Sequence, residues 1–529
     1  MRRRDFLYLA AASLTVRGAT GVRAQGPPRE PDVIVIGGGS AGCALVHRLS
    51  MNPSVRVLLL EAGVSAEEDA AVSTPGRWAE LTGSSWDWGY RTEASAGLQG
   101  RAPAFALGRA LGGTSAINAM VFIRGDRRCY DGWRDLGNPG WGYADVLPLF
   151  KRLEANDQGE STYRGGDGPL AVSTCFDPHA AHRAFLVAAV QTGYQADARF
   201  DFNRPVPQGW AGYVQKNILD DRRHSAAAAF LAPAMARPNV EVRSDVRVTR
   251  LLVEGRRVVG VEYVREGRTE RVNAGREVVL SAGVVGSPTL LLLSGIGPAD
   301  ELRAHGIGVV ADVPGVGRNL QDHLELPIRW QGKSELPPST VTAGLFTHSR
   351  PEEGSTVPAD LQFYLGRGVD QPDPFVTFTA SLVRPRSRGA VTLGAANPMS
   401  APIIRPNYLE DEADVRALVR AVHLARWFTS VPGYEPLCGD ELEPGSAAVS
   451  DADLARFVRR AATSIHHAAG TCRMGPASDA AAVVDADLRV RGVEGLRVAD
   501  ASIMPEIVNA PPHAACVMIG EKAADLISG

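Results

Sequence analysis

Three glycines and one acid in this chain have the types and spacing of a phosphate site. Gly37, Gly39 and Gly42 form a G-x-G-x-x-G, and Glu61 follows nineteen residues after Gly42. In such a motif the first glycine allows a tight turn and the second lets backbone approach a diphosphate. The third lets the next helix pack on the preceding strand. An acid about twenty residues further on is placed to accept hydrogen bonds from ribose hydroxyls. The chemistry is dinucleotide binding, with NAD and FAD left open.

The elements that must position these residues are legible around them. Val33-Ile34-Val35-Ile36 is short, apolar and β-branched, which predicts a buried parallel strand. The apolar stretch after Gly39 predicts a helix whose free N–H groups and positive dipole end face the phosphates. A second strand over 55–60 ends at Glu61. The hexapeptide alone is equally compatible with a glycine-rich surface turn; the strand–helix–strand context selects dinucleotide binding.

Length and composition set bounds. The 529 residues predict several domains with an ample core, and 45% apolar with 22% charged residues is ordinary for a globular protein. The formal net charge is −3, and the first 24 residues carry five arginines and one aspartate, so the rest is more acidic still. That excludes a basic surface for nucleic acid or a membrane face. Arg3-Arg4-Asp5-Phe6-Leu7, a short apolar stretch and Val22-Arg23-Ala24 read as a cleavable twin-arginine signal over 1–24. Its apolar part is too short to span a bilayer. The expected location is a bacterial periplasm. The six cysteines (Cys43, Cys129, Cys175, Cys438, Cys472 and Cys516) show neither C-x-x-C nor zinc spacing, so no metal site is expected.

Further along, residues 108–133 hold a second glycine cluster (Gly108, Gly112, Gly113) leading into small and then apolar residues, as suits a segment lying along a cofactor. Residues 134–230 predict helices over 143–152 and 182–192. Residues 240–272 read as a β-meander with a turn at Glu254-Gly255. After Val278-Val279-Leu280, Ser287-Pro288 is expected to open an apolar helix. Residues 325–460 predict strands over 361–365, 375–383 and 390–393 and a helix over 411–429. Near the C-terminus, His466-His467 precede a glycine turn, a strand over 495–499 ends at Asp500, and His513 leads into a last helix.

Six ordered motifs together resemble the glucose-methanol-choline (GMC) oxidoreductases, in particular their bacterial choline-dehydrogenase-like members. They are the first glycine motif with Glu61, GRALGGTSAINAMVFIRG from Gly108, GVVGSPTLLLLSGIGP from Gly283, GVGRNLQDH from Gly315, HAAGTCRMG from His467 and VADASIMP from Val498. The resemblance implies an α/β fold: a Rossmann-like FAD domain of p-hydroxybenzoate-hydroxylase type, joined to an α+β substrate domain on an antiparallel sheet. It divides the chain into FAD-binding pieces at 31–133, 235–325 and 464–529 and substrate-binding pieces at 134–234 and 326–463. It implies FAD, and oxidation of an alcohol CH–OH by hydride transfer to flavin N5.

Carried over by position, Gly37, Gly39, Gly42 and Glu61 hold the ADP half. Gly113, Asn118, Met120 and Val121 lie along the diphosphate and flavin, Val246 lies near the adenine, and Asp500 and Ala501 near the centre of FAD. The catalytic histidine falls on His467 and its partner on His513. The chemistry agrees: removing a hydride from an alcohol carbon is eased by a neutral base that takes the hydroxyl proton, with a second polar group fixing the oxygen. Relatives carry an aromatic residue where this chain has His466, which weakens a choline-specific reading. His47 and His323 read as structural. No histidine lies within 108–133, where the family's covalent flavin links form, so non-covalent FAD is expected. The expected partners are a small-molecule alcohol and, as acceptor, oxygen, a quinone or a cytochrome. The alternative is an FAD-containing lyase of the same fold, of hydroxynitrile-lyase or photodecarboxylase type.

Overall fold

Val33–Ile36 (β1) presents four apolar side chains, all buried, and so needs cover on both faces. It gets that cover as the middle strand of a five-stranded sheet. In the computed structural model, which describes residues 30–174, 178–333, 342–367 and 375–529, β1 pairs in parallel with Val57–Leu60 (β2) and with Glu277–Leu280. Val240–Arg243 extends the sheet beyond β2 and Leu496–Val498 closes the other side. Each fully buried aliphatic side chain here contributes about 1.5–3 kcal/mol. The carboxyl edge of the sheet is therefore rigidly held. The signal segment over 1–24 and Cys175 lie outside the described residues.

The helix Ser40–Leu49 (α1) follows β1 and lies against the C-terminal helix His513–Ser528. The crossing is close enough that a Cβ on Gly520 would stand 2.2 Å from the Ala41 carbonyl oxygen. Arg48 reaches across to the fully buried Glu521 at 2.8 Å and fixes the register of the two helices. Gly37–Gly39, Glu61, Gly283 and Asp500 all follow strands of this one sheet, so they collect at its carboxyl edge, where open parallel sheets bind ligands.

A second, antiparallel sheet contains Leu324–Gly332, Ala343–Thr347, Leu361–Arg367 and Phe375–Leu382. Alternation puts Leu324, Leu326, Ile328 and Trp330 into a core shared with the helix Glu412–Ser430. Glu325 and Arg329 take the opposite face. Tyr143–Leu153 and the stretch 226–234 join the core of the parallel sheet, whereas Ala180–Gln191 joins that of the antiparallel one. Among the described residues no helix is long and apolar enough to cross a membrane, and no group of three His, Cys, Asp or Glu is placed to hold a metal.

Two elements differ from the sequence expectation. Val240–Arg243 leaves the meander and becomes an edge strand of the parallel sheet; the meander itself is Arg247–Glu254, Arg257–Arg265 and Arg268–Asn273. The apolar helix starts at Gly283, a turn before Ser287, so Pro288 lies inside it. A helical proline leaves the carbonyl four residues back without its N–H. That carbonyl is Val284 O, and the Thr471 hydroxyl donates to it at 2.6 Å. A distant threonine thus stabilises a proline that the local pattern reads as a helix start.

Candidate active site

The first glycine motif makes the turn from β1 into α1. Gly37 has φ +100°, and a Cβ on Gly42 would stand 2.0 Å from the Gly37 carbonyl oxygen. Around Gly39 the space is open: a Cβ there would meet no atom within 4 Å. Glu61 is buried, and its two carboxylate oxygens accept Gly38 N–H and Gly63 N–H, each at 2.7 Å. Burial pushes its pKa up and those N–H groups oppose the shift. Val246, also buried, donates its N–H to the Glu61 carbonyl at 3.0 Å and so stands beside the acid.

The second glycine cluster folds onto the first. Gly112 N–H donates to Gly38 O at 2.7 Å, and Gly113, at φ +54°, comes so close that its Cβ would stand 2.7 Å from Gly39 Cα. From there the chain passes Asn118, whose side chain accepts Met120 N–H at 3.0 Å. Met120 is buried in the left-handed region at φ +61°, and Val121 bridges to Lys216. A buried non-glycine residue in that region marks stored strain at a site. On the other side Asp500 accepts Gly283 N–H (2.9 Å), the Ser287 hydroxyl (2.6 Å) and Ser502 N–H (2.8 Å). The Ala501 carbonyl accepts Gly470 N–H, which ties the Asp500 turn to the loop of His467.

His467 is held at three points. Its N–H donates to Asp322 Oδ1 at 2.8 Å, and its ring Nδ1 meets His323 Nδ1 at 3.1 Å. Ala469 pairs with Gln321 in both directions. Asp322 Oδ2 accepts the hydroxyls of Tyr408 and Ser464, and burial pushes this carboxyl up to about 6. Burial lowers the His467 pKa well below its ordinary value, and His323 and His466 add to the effect. The ring is therefore neutral at neutral pH. His466 has φ +61°, and its Nδ1 accepts Ala106 N–H at 3.1 Å.

His513 is the first residue of the C-terminal helix, and its Nδ1 lies 2.9 Å from the Ser40 hydroxyl at the start of α1. Burial, and then the charge of Arg223, lower its pKa to about 4. Asn319 and Gln321 both donate to the Pro505 carbonyl, so the segment that pairs with Ala469 is also tied to the stretch leading to His513.

Sequence reasoning missed three residues. His323 was read as structural, yet its fully buried ring is the partner of His467. Asp322 and Arg223 were not singled out, and their partners lie more than a hundred residues away. Only the Asn-Leu-Gln-Asp-His motif itself pointed toward the first two. His47 does serve structure, with Nδ1 at 2.9 Å from the Phe230 carbonyl. The described cysteines are free thiols.

The arrangement fits a dinucleotide: open space at Gly39, a buried acid flanked by backbone donors, and an arginine beside the loop. Comparison with known proteins extends this. Two family models, both described as GMC oxidoreductase, match residues 31–325 and 385–520. The chain is 40% identical to mitochondrial choline dehydrogenase of Homo sapiens, over 94% of this chain and 90% of that one. It is similar in structure to pyridoxine 4-oxidase from Mesorbium loti (TM-score 0.88, 35% identity, 94% and 98% covered). It is similar also to the formate oxidase of Aspergillus oryzae RIB40, a structure concerned with modification of its FAD (TM-score 0.85, 26% identity, 94% and 98% covered). FAD is accordingly the cofactor, and the chain belongs to the GMC oxidoreductase family.

Proposed function

We propose that this enzyme oxidises the CH–OH group of a small alcohol to an aldehyde or ketone, with His467 as the base and His513 fixing the alcohol oxygen. Bound FAD supplies the hydride acceptor, at flavin N5. In this reading Gly37, Gly39, Gly42, Glu61 and Val246 serve the ADP half. Gly113, Asn118, Met120, Val121, Asp500 and Ala501 serve the diphosphate and flavin, and FAD is held without a covalent link. The pieces 31–133, 235–325 and 464–529 form the FAD part, and 134–234 and 326–463 form the substrate part.

The observation that carries the reading is the pairing of His467 with His323. One ring donates across this contact and the other accepts, and in the proposed arrangement His323 carries its proton on Nε2. Its Nδ1 then accepts, His467 carries its own proton on Nδ1 and donates it, and the Nε2 lone pair of His467 is left to take the alcohol proton. His513 keeps Nε2 for the alcohol oxygen, because its Nδ1 is engaged with Ser40.

The relatives named above are a dehydrogenase and oxidases, which favours oxidation over the lyase reading. Choline and pyridoxine therefore head the list of alcohols to try. The acceptor in this proposal is oxygen, a quinone or a cytochrome. The twin-arginine pattern at Arg3-Arg4 supports export to the periplasm of a folded, FAD-loaded protein. Turnover of alcohols with and without an artificial electron acceptor tests the reaction class. Strict dependence on the acceptor or on oxygen is expected, and product formed without either would indicate a lyase.

A further inference from the structure

Arg223 is a buried cation without a carboxylate partner. It is 4% exposed and forms no ion pair among the described residues; Glu67, which accepts the Ser225 hydroxyl at 2.6 Å, acts on its charge without a direct contact. Its donors go to neutral groups instead. Nε donates to Val72 O (2.7 Å), and Nη1 to Ser115 O (3.2 Å), Asn118 O (2.6 Å) and Asn118 Oδ1 (3.0 Å). Nη2 is buried with no partner. A guanidinium removed from water, with one nitrogen unpaired and no anion in contact, is costly unless an anion reaches it.

Its surroundings identify the anion. Ser115 and Asn118 continue the loop whose Gly113 stands against Gly39. From the other side, the charge of Arg223 acts on His513, whose ring is 2.9 Å from the Ser40 hydroxyl at the start of α1. Both routes lead to the same cradle, formed by Gly39, Ser40 and Gly113. The first glycine motif carries no charge, and the one cation of the second, Arg109, is exposed and acts on Glu61. The segment around Arg223 is also fixed to the loop, since Ala226 N–H donates to Ser115 Oγ at 2.9 Å.

We propose that Arg223 supplies the positive charge for the cofactor's diphosphate, acting from behind the Ser115–Asn118 loop, and that it is a cofactor-binding residue of this chain. The proposal rests on FAD occupying the cradle. It is independent of which histidine is the base.

Deflavinated wild type, Arg223→Gln and Arg223→Lys are titrated with FAD and with riboflavin, following flavin fluorescence. Circular dichroism and melting of each apoprotein establish that it is folded. FAD affinity falls about 30-fold or more in the glutamine variant and stays within about fivefold in the lysine variant, which keeps the charge. Riboflavin, which has no phosphate, loses much less. Wild-type FAD affinity in Arg223→Gln would overturn the proposal. So would an equal loss for FAD and riboflavin, or equal losses in the two variants, because each assigns Arg223 to loop support alone. If wild-type apoprotein fails to bind FAD at all, the cofactor assignment fails, and that result is distinct from the other three.

Discussion

The Nδ1 atoms of His323 and His467 stand 3.1 Å apart although 144 residues separate them in sequence. One ring must donate and the other accept, so the pair selects a tautomer as well as an orientation. Asp322, next to His323, holds the backbone of His467. The Asp-His dipeptide therefore grips the proposed base at both its main chain and its ring.

Replacing His323 by Leu removes the acceptor and keeps the volume approximately. Ring orientation is then lost while the cofactor cradle is untouched. The rate of flavin reduction by alcohol is expected to fall about 10- to 100-fold, with FAD content and substrate half-saturation nearly unchanged. Stopped-flow reduction reports the rate, and the absorbance of the purified protein reports FAD. An unchanged reduction rate would return His323 to a purely structural role.

The pH profile follows from the same burial. The pKa of His513 is lowered to about 4 and that of His467 well below its ordinary value, each chiefly by burial. A base with a depressed pKa stays competent as pH falls, so activity is retained on the acid side. Asp322, pushed up to about 6, can take a proton on Oδ2 because the Tyr408 and Ser464 hydroxyls can rotate, and Oδ1 still accepts His467 N–H. The expected kcat/KM is flat from pH 8 to about 6 and declines toward pH 4. A drop centred between pH 6 and 7 would contradict the neutral-histidine reading.

Gly113 tests the cradle. Alanine there would place a Cβ 2.7 Å from Gly39 Cα, in a φ region that favours glycine. The two loops must separate, which costs about 1–3 kcal/mol. Gly113→Ala is expected to purify with substoichiometric FAD and to melt several degrees lower. A variant fully loaded with flavin would show that the loops do not meet over the cofactor.

How much of this was legible in the sequence depended on range. The β1–α1–β2 unit was readable because turn, helix and strand lie within thirty residues and each has its own period. The second glycine cluster was readable as a point of close backbone approach, and Gly112 and Gly113 do meet Gly38 and Gly39. Pro288 misled because the compensating hydroxyl is on Thr471, which no local pattern connects to Val284. Val240–Arg243 looked like one strand of a meander. Its partner, β2, was chosen by the tertiary fold, and alternation alone does not distinguish the two sheets. His323 and Arg223 were missed because a buried polar residue is identified by its partner, and theirs are brought near only when the chain closes.

The attachment of FAD has a simple check. No histidine lies within 108–133, so denaturing acid is expected to leave a colourless pellet and a yellow supernatant. Colour retained in the pellet would establish a covalent link elsewhere.

The central claim is that His467 takes the hydroxyl proton while the alcohol carbon is oxidised. Its most direct test is an anaerobic absorbance titration of the FAD-loaded protein with choline, pyridoxine and aromatic and aliphatic primary alcohols. The same titration is run on His467→Ala loaded with equal FAD. At least one alcohol class is expected to bleach the wild-type flavin, with reduction of the variant slowed by about 100-fold or more. A well-loaded wild type that no alcohol bleaches, or a variant that bleaches as fast as wild type, would contradict the account.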